Sequence, residues 1–378
     1  NSSICKYVFL RDDDGRYMRI GDIYRMGMND IRDSNKLRYV LFCDPAIRLK
    51  VPEKTAVITA INDKPVSEEN MPTFAARQTL KFSGKVVNHK GETDTSFNGD
   101  ITATLYDAET SVETHGYSTP GEDDGTKYVY DEHSNRLAIT VEKVVNGEFS
   151  FSVTVPSETM SAGSFENYRP ARINLYACDY NNFTEAMGSN DKFYIYGYDE
   201  TVKSDENGPE IKTFGLNSEN FTSGGVVNES PLMIACIADP DGINFSTAGL
   251  GHKITLTLDE TVVYNDLINY YQPMYPDGEN ASMGQIYYPL SNIPMGTHTL
   301  KLKVWDIFNN SSTKEITFTV KPGEKPEIYD LYTNSNPARE SAEFYLTHNR
   351  PDAVITMTVE VFDLLGKEVW SHPQTGPI

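Results

Sequence analysis

Most of the chain is a succession of short segments in which apolar and polar residues alternate. This pattern begins at Lys50, and Gly, Asn, Asp or Pro ends each segment. Because successive side chains of a strand point to opposite faces of a sheet, such alternation predicts strands with one buried face. The dipeptide Asn146-Gly147 between two such segments is a strong signal for a tight hairpin. The chain is therefore predicted to be mainly β.

The predicted strands form two groups, each large enough for a sandwich. The first group, within residues 80–198, contains Leu80–Val87, Ile101–Tyr106, Arg136–Val145, Glu148–Val155, Arg172–Cys178 and Phe193–Gly197. The second group, within residues 209–320, contains Pro209–Phe214, Pro231–Ala238, Ile254–Leu258, Thr261–Asn265, Gly284–Leu290, His298–Asp306 and Ser312–Val320. Six or seven strands close naturally into an immunoglobulin-like β-sandwich, so two sandwiches in series are predicted. Residues 51–79 are predicted to be a linker before the first sandwich.

A shorter module follows the linker KPGEKP at residues 321–326. Glu343–Thr347 and Ile355–Phe362 alternate well, and Glu368–Trp370 begins a third segment. Three strands are few for an independently stable sheet. Residues 327–378 are therefore predicted to be part of a β-domain.

The first fifty residues have a different pattern. Tyr17–Met28 has apolar residues at helical spacing, which predicts an amphipathic helix. Leu37–Leu49 is predicted to be a strand followed by a tight turn at Asp44-Pro45, and its apolar run YVLFC suits a strand covered on both faces. One helix and one strand cannot form a core. Residues 1–50 are therefore expected to be the end of an α/β domain whose bulk precedes Asn1.

Charge and hydropathy exclude two classes of partner. The formal net charge is −21, and no basic cluster with interleaved aromatic residues occurs in the sequence. Phosphate backbones and anionic lipids would repel such a chain. No run of 18 apolar residues is present either, so no helix is expected to span a membrane. The sequence predicts no nucleic-acid partner and no direct membrane span.

Four cysteines stand far apart without a CxxC spacing: Cys5, Cys43, Cys178 and Cys236. They lie mostly within apolar runs, so buried free thiols are expected, with a disulfide as the alternative. Cys5 is the only thiol considered as a nucleophile. A core or edge cysteine is the preferred interpretation, because a nucleophilic thiol needs an electropositive setting.

Histidines and acidic stretches give no assignable site. The seven histidines show no metal-ligand spacing and are expected to be lone surface or turn residues. Asp239–Asn244 (DPDGIN) resembles the start of a calcium loop but lacks Glu at the twelfth position, so a turn is favoured. The acidic stretch Glu122–Asp131 could hold a cation, and a solvated loop is again favoured. No catalytic, cofactor-binding or metal-binding residue is predicted, and no cofactor is expected.

Three stretches resemble a known family. Residues 35–49 (NKLRYVLFCDPAIRL) resemble the closing segment of gingipain-type cysteine peptidase domains, with Cys43 where that family usually has Gly. Residues 242–255 and 288–311 resemble a sandwich of the sortases of type IX secretion, with GIN, GTHTL and KVWD among the shared motifs. Residues 334–367 are similar to a type IX sorting domain, although Ser335-Asn336 departs from its opening motif.

The resemblance implies that residues 1–50 close a caspase- or gingipain-like α/β peptidase domain. It implies a cell-surface, outer-membrane-associated cysteine endopeptidase that removes sorting domains from secreted cargo and transfers the cargo to a lipopolysaccharide anchor. The partners it implies are secreted cargo proteins and an outer-membrane β-barrel protein (PorV-like). Its Cys nucleophile and His base precede the segment seen here, so the resemblance gives this chain no catalytic residue.

Two other functions remain open. The chain could be a non-catalytic surface adhesin or carbohydrate-binding array of sandwiches, because sandwich folds host many functions. It could also be a structural spacer. The segment at residues 35–49 favours the peptidase interpretation, because an adhesin has no need for it before its first sandwich.

Overall fold

The computed structural model describes most of the chain. The described residues are 2–12, 15–32, 38–115, 127–159, 169–203, 206–248, 252–260, 262–275, 282–321, 328–333, 341, 343–348, 354–362 and 366–377. Strands dominate these residues, and the mainly β fold predicted from the sequence is confirmed. Residues 334–338, which begin the segment that resembles a sorting domain, and residues 122–126 of the acidic stretch lie outside the described residues.

Two helices lie in the first fifty residues, α1 (Ser2–Cys5) and α2 (Ile20–Asp30). The helix predicted over Tyr17–Met28 is confirmed as α2, shifted by two or three residues. Its buried residues are Ile23 and Gly27. A Cβ at Gly27 would lie 2.7 Å from a side-chain carbon of Ile4, so glycine lets α1 approach α2 closely.

The strand predicted over Leu37–Leu49 is wrong. Residues 38–50 form no strand, and Phe42 in the middle of the apolar run is 93% exposed. An extended segment becomes a strand only when another strand takes up its backbone groups. Among the described residues, the β-pairing of this segment is limited to the isolated bridge between Arg48 and Arg19. The predicted turn is present, since Asp44 Oδ1 accepts a hydrogen bond from the backbone N–H of Ala46 at 2.8 Å.

The first sandwich contains twelve strands. They are β1 (Lys54–Ile61), β2 (Lys64–Pro65), β3 (Thr73–Ala76), β4 (Thr79–Val87), β5 (Gly99–Tyr106), β6 (Thr110–Glu113), β7 (Val129–Glu132), β8 (Arg136–Val144), β9 (Glu148–Thr154), β10 (Arg172–Asp179), β11 (Thr184–Asn190) and β12 (Tyr194–Tyr198). Eight of them form one sheet in the order β8-β5-β10-β11-β1-β4-β9, with β2 beside β1. The remaining pairs are β3 with β12 and β6 with β7.

The end strands of this sheet, β8 and β9, are joined by the predicted hairpin at Asn146-Gly147. Both turn residues have positive φ, 51° and 77°, as a type I′ turn requires. The sheet thereby returns on itself around one core, in which Phe82, Phe97 and Phe193 are fully buried. The ring centroids of Phe82 and Phe193 lie 5.7 Å apart in an edge-to-face arrangement.

The predicted linker at residues 51–79 is wrong. Strand β1 lies inside the large sheet, between β4 and β11, and contributes Ala56, Ile58 and Ile61 to the core. Its pairing with β11 is parallel and joins Lys54 to Ala186. Because Ala186 is so distant from Lys54 along the chain, no local pattern indicates this pairing.

The second sandwich has two separate sheets. Its strands are β13 (Glu210–Leu216), β14 (Gly225–Val227), β15 (Leu232–Asp239), β16 (Thr255–Leu258), β17 (Val262–Asn265), β18 (Tyr271–Met274), β19 (Ser282–Pro289), β20 (Gly296–Trp305) and β21 (Ser311–Val320), with a 3-10 helix at Leu267–Tyr270. The sheet orders are β13-β15-β19-β18 and β14-β21-β20-β16-β17. A core that includes Met233, Leu256, Ile286 and Phe318 lies between them.

The last module consists of two hairpins within the described residues. Strand β22 (Ile328–Thr333) pairs with β23 (Phe344–His348), and β24 (Val354–Phe362) pairs with β25 (Glu368–Pro377). Exposed apolar side chains such as Leu331 and Trp370 occur on both hairpins. Neither helix of the described chain is long and apolar enough to cross a bilayer.

Candidate functional site at the junction of the sandwiches

The four cysteines are free, as expected, but their burial differs from the prediction. Cys5 and Cys43 are exposed, because the segments that carry them lie on the surface. Cys178 and Cys236 are half-buried on strands β10 and β15. Burial raises the pKa of the Cys178 thiol to about 11 and also raises that of Cys236. These two thiols therefore lack the thiolate character of a nucleophile.

The expectation of lone surface histidines is wrong for at least three of the seven. His133 Nδ1 lies 2.8 Å from the Asp107 carbonyl oxygen. His298 Nδ1 lies 2.7 Å from Asp259 Oδ2, and its Nε2 lies 2.7 Å from the Pro294 carbonyl oxygen. His252 pairs with Glu158. The partners come from distant segments or from turn backbone, which sequence spacing alone does not reveal.

The Asp239–Asn244 segment forms a turn. Asp239 Oδ1 accepts hydrogen bonds from the backbone N–H groups of Asp241 (2.9 Å) and Gly242 (2.7 Å). Burial raises the pKa of this carboxyl to about 7, and the nearby Asp306 adds to the rise. No group of three or more His, Cys, Asp or Glu residues within the described chain is placed to hold a metal ion. The hydrogen bonds of Asp239 form the turn that the sequence favours for this segment.

Glu158 makes the first set of contacts between the sandwiches. It follows the first sandwich's strand β9, and its carboxylate meets two side chains of the second sandwich. Oε2 lies 2.8 Å from His252 Nδ1, and Oε1 accepts a hydrogen bond from Asn309 Nδ2 at 3.1 Å. Its backbone carbonyl accepts the Ser246 hydroxyl at 2.8 Å. One residue thereby fixes three segments of the second sandwich.

Asn135 makes the second set of contacts, and its side chain is buried. Its Nδ2 donates to Asp107 Oδ2 at 3.1 Å and to Ser246 Oγ at 3.2 Å. Its Oδ1 accepts the backbone N–H of Thr247 at 2.7 Å. A buried side-chain amide costs free energy unless it is hydrogen-bonded, and this one is satisfied across the junction. The contact therefore requires a specific alignment of the two sandwiches.

Apolar and aromatic contacts complete the junction. The His252 ring packs on Trp305, with centroids 4.4 Å apart. The Arg77 guanidinium of the first sandwich lies 5.2 Å from the ring centroid of Phe308 in the second. A backbone hydrogen bond from Ser157 to the Ile307 carbonyl joins the sandwiches at 2.8 Å.

The cavity between the two sandwiches, lined by residues such as Thr140 and Phe245, measures only about 60 Å³. This arrangement can hold two sandwiches in one orientation but cannot enclose a substrate.

Sequence reasoning found part of this site. Two motifs that resemble a sortase lie next to the junction: GIN (242–244) lines the cavity between the sandwiches through Gly242 and Ile243, and KVWD (303–306) directly precedes Ile307, whose carbonyl accepts the Ser157 backbone N–H. Ile243 forms a bridge with Asp306, and the backbone N–H of Asn244 donates to the Trp305 carbonyl. Asn135 and Glu158 on the first sandwich were missed. Neither has a local signal, because each is a polar residue next to a strand and its role depends on the docked partner.

The described chain is thus a mainly β protein in which two sandwiches are joined through a polar junction. No protein-family model and no curated protein matches it. Among solved structures, the chain is similar to dimeric latent PorU from Porphyromonas gingivalis, at 30% identity and a TM-score of 0.46. That match covers 98% of this chain and 34% of the PorU chain, so the chain spans about a third of that protein's length.

Two further structures have much weaker similarity. One contains the fibronectin(III)-like modules of Clostridium thermocellum CbhA, at 12% identity, with 71% of this chain and 94% of that chain covered and a TM-score of 0.18. The other is red sea bream transglutaminase, at 8% identity, with 72% and 32% covered and a TM-score of 0.19.

Proposed function

We propose that this chain is the non-catalytic C-terminal portion of a PorU-like sortase, a cell-surface cysteine endopeptidase. The whole protein would remove sorting domains from secreted cargo and transfer the cargo to a lipopolysaccharide anchor. In this proposal the catalytic Cys and His lie in an upstream peptidase domain. An outer-membrane β-barrel protein of the PorV type would hold the enzyme at the cell surface.

One observation carries the proposal. Sequence motifs that resemble the sortase, GIN and KVWD, bond to each other within the second sandwich, and Gly242 and Ile243 of GIN line the small cavity against the first sandwich. A motif at such a position supports a mechanical role, because it shapes the surface that faces the first sandwich. The role proposed for the chain is therefore to hold upstream and downstream parts of the enzyme at a set geometry.

The test uses the full-length parent protein and a cargo protein that carries a sorting domain. Glu158→Ala removes the carboxylate that bonds His252 and Asn309. We expect this variant to process cargo more slowly, while a matched exposed variant, Glu69→Ala, processes it at the normal rate. The peptidase active site should still react with a thiol-directed inhibitor in both variants.

Two results would contradict the proposal. The first is normal cargo processing by the Glu158→Ala parent together with measurable loosening of the junction. The second is a parent protein that has no cargo-processing activity at all, which would favour a surface adhesin. The isolated 378-residue chain is expected to cleave no cargo, and thiol-sensitive cleavage by it would also refute the proposal.

A further inference from the structure

Another concave region lies between the four-stranded sheet of the second sandwich and the hairpin β22-β23. This groove has a volume of about 700 Å³. Its floor is the outer face of the sheet, and the loop at residues 217–220 forms one wall. The other wall comes from Asp330, Tyr332 and Thr347. The volume is within the range of small-molecule sites, about 300–1,000 Å³.

The floor of the groove carries an ordered chain of hydrogen bonds. Tyr287 donates its hydroxyl proton to Gln285 Oε1 at 2.6 Å, and Gln285 Nε2 donates to Glu219 Oε1 at 2.8 Å. Gln272 lies directly opposite Gln285 on the neighbouring strand. The second N–H of Gln285, the second oxygen of Glu219 and the Tyr287 oxygen retain hydrogen-bonding capacity. The floor therefore presents donors and acceptors whose positions are already fixed.

The electrostatics of the groove disfavour anions. Among its described lining residues, Glu219 and Asp330 are acidic and none is Lys, Arg or His. Burial, Glu219, Tyr332 and Asp330 raise the pKa of Tyr287, in that order of effect, so its phenol stays protonated and remains a donor. A phosphate or carboxylate ligand would meet two carboxylates without a countercharge. An uncharged ligand with many hydroxyl groups meets no such penalty.

Aromatic rings are the second feature of the groove that could contact a ligand. Tyr287 lies on the floor, and Tyr332 lies on the wall with its ring stacked on that of Tyr345, at a centroid distance of 4.9 Å. A tyrosine ring combines an apolar face with a polar end. Sugar rings have the matching chemistry, because their C–H faces pack on aromatic rings while their hydroxyl groups bond amides and carboxylates.

We propose that this groove binds an uncharged saccharide. Gln272, Gln285 and Glu219 hydrogen-bond its hydroxyl groups, and Tyr332 packs against a sugar ring. The groove suits a sugar better than an extended peptide, because a peptide adds to a sheet through a free strand edge, whereas the floor of this groove is a sheet face. The inference stands without the proposed function, since it rests only on the residues of the groove.

The experiment titrates the full chain with maltotetraose, cellotetraose and tri-N-acetylchitotriose and measures affinity by calorimetry and ligand-observed NMR. We expect at least one of them to bind. Tyr287→Phe removes only the hydroxyl, and we expect about a fivefold loss of affinity, as for one neutral hydrogen bond. Gln285→Ala, which breaks both links of the chain, should weaken binding at least about tenfold. Tyr128→Phe, an exposed tyrosine of the first sandwich, is the matched control and should bind normally.

Two outcomes would overturn the inference. One is that none of the three saccharides binds the wild-type chain. The other is that binding occurs but Tyr287→Phe and Gln285→Ala leave the affinity unchanged, although circular dichroism shows both variants folded. A parallel titration with Ca²⁺ is informative too. If calcium alone binds and Glu219→Gln abolishes it, the groove is a cation site and the saccharide proposal is wrong.

Discussion

Phe82 and Phe42 are both phenylalanines in segments that the sequence predicts to be strands, yet Phe82 is 0% exposed and Phe42 is 93% exposed. Phe82 lies on β4, which pairs with β1 on one side and β9 on the other. Phe42 lies in a segment without a strand partner in the described chain. The comparison between the sandwiches and the first fifty residues teaches that apolar sequence alone does not produce a strand. Backbone pairing decides whether the side chains become a core.

The largest expected effect tests that contrast directly. Phe82→Ala should destabilise the first sandwich by about 4 kcal/mol, because it leaves a cavity in a filled core. Phe42→Ala should change the free energy of unfolding by less than about 0.5 kcal/mol. Urea unfolding, followed by hydrogen exchange of the strand amides, measures both. If Phe42→Ala lowered the free energy of unfolding as much as Phe82→Ala, the side chains of residues 38–50 would have to be packed in a core.

The second prediction concerns a buried polar side chain at the junction of the sandwiches, Asn135. Asn135→Ala removes the amide shared by Asp107, Ser246 and Thr247, and it should cost about 2 kcal/mol by leaving buried partners unsatisfied. Faster hydrogen exchange at Ser246 and Thr247 is the specific readout. Asn181→Ala, at an exposed asparagine, is the control and should have no such effect. If both variants were neutral, the junction would contribute nothing to the alignment of the sandwiches.

The third prediction concerns the pH dependence of stability that the buried carboxyl of Asp239 causes. The folded-state pKa of Asp239 is raised to about 7, well above its unfolded value of about 3.9. Its contribution to stability is therefore fully present below about pH 4 and is lost as the pH rises through 7. Asp239→Asn keeps an oxygen acceptor for Asp241 and Gly242 and removes the charge. We expect the variant to gain about 1–2 kcal/mol over wild type between pH 5 and pH 8.

That gain is measured as the difference in unfolding free energy between Asp239→Asn and wild type at each pH. The exposed Asn181 provides the control, and Asn181→Ala should leave the unfolding free energy close to that of wild type at every pH. A difference that grew towards low pH would have the wrong sign. It would mean that the folded protein stabilises the charged form of Asp239 more than the protonated form.

The last prediction concerns the reaction rates of the four cysteines and requires no change in the stability of the protein. Cys5 and Cys43 are exposed, and iodoacetamide at pH 8 should modify them first. With its pKa near 11, Cys178 should react about a hundredfold more slowly than an ordinary thiol, because its thiolate fraction is that much smaller. Cys236 should also be slow. Peptide mass spectrometry resolves the four rates, and equal rates would contradict the difference in burial.

The sequence predicted the second-sandwich side of the candidate site but not the first-sandwich residues that bond to it. GIN and KVWD were recognised as motifs, but Asn135 and Glu158 were not, since their hydrogen bonds cross between the sandwiches. The groove was likewise invisible. Gln285 and Tyr287 belong to the strand predicted over Gly284–Leu290, but Gln272 lies on β18, which was not predicted. The wall residue Tyr332 comes from a later module.

What the sequence by itself determined is local. Alternation with period two specified strands such as β4, β5, β10 and β20, and Asn-Gly specified the β8-β9 hairpin, because both signals reside in a few neighbouring residues. Only the tertiary structure decided that β1 lies within the large sheet and that residues 38–50 form no strand. It also decided which polar residues meet across the junction and the groove. Those outcomes depend on partners more than a hundred residues away in several cases, as with Lys54 and Ala186, and no local pattern encodes such pairings.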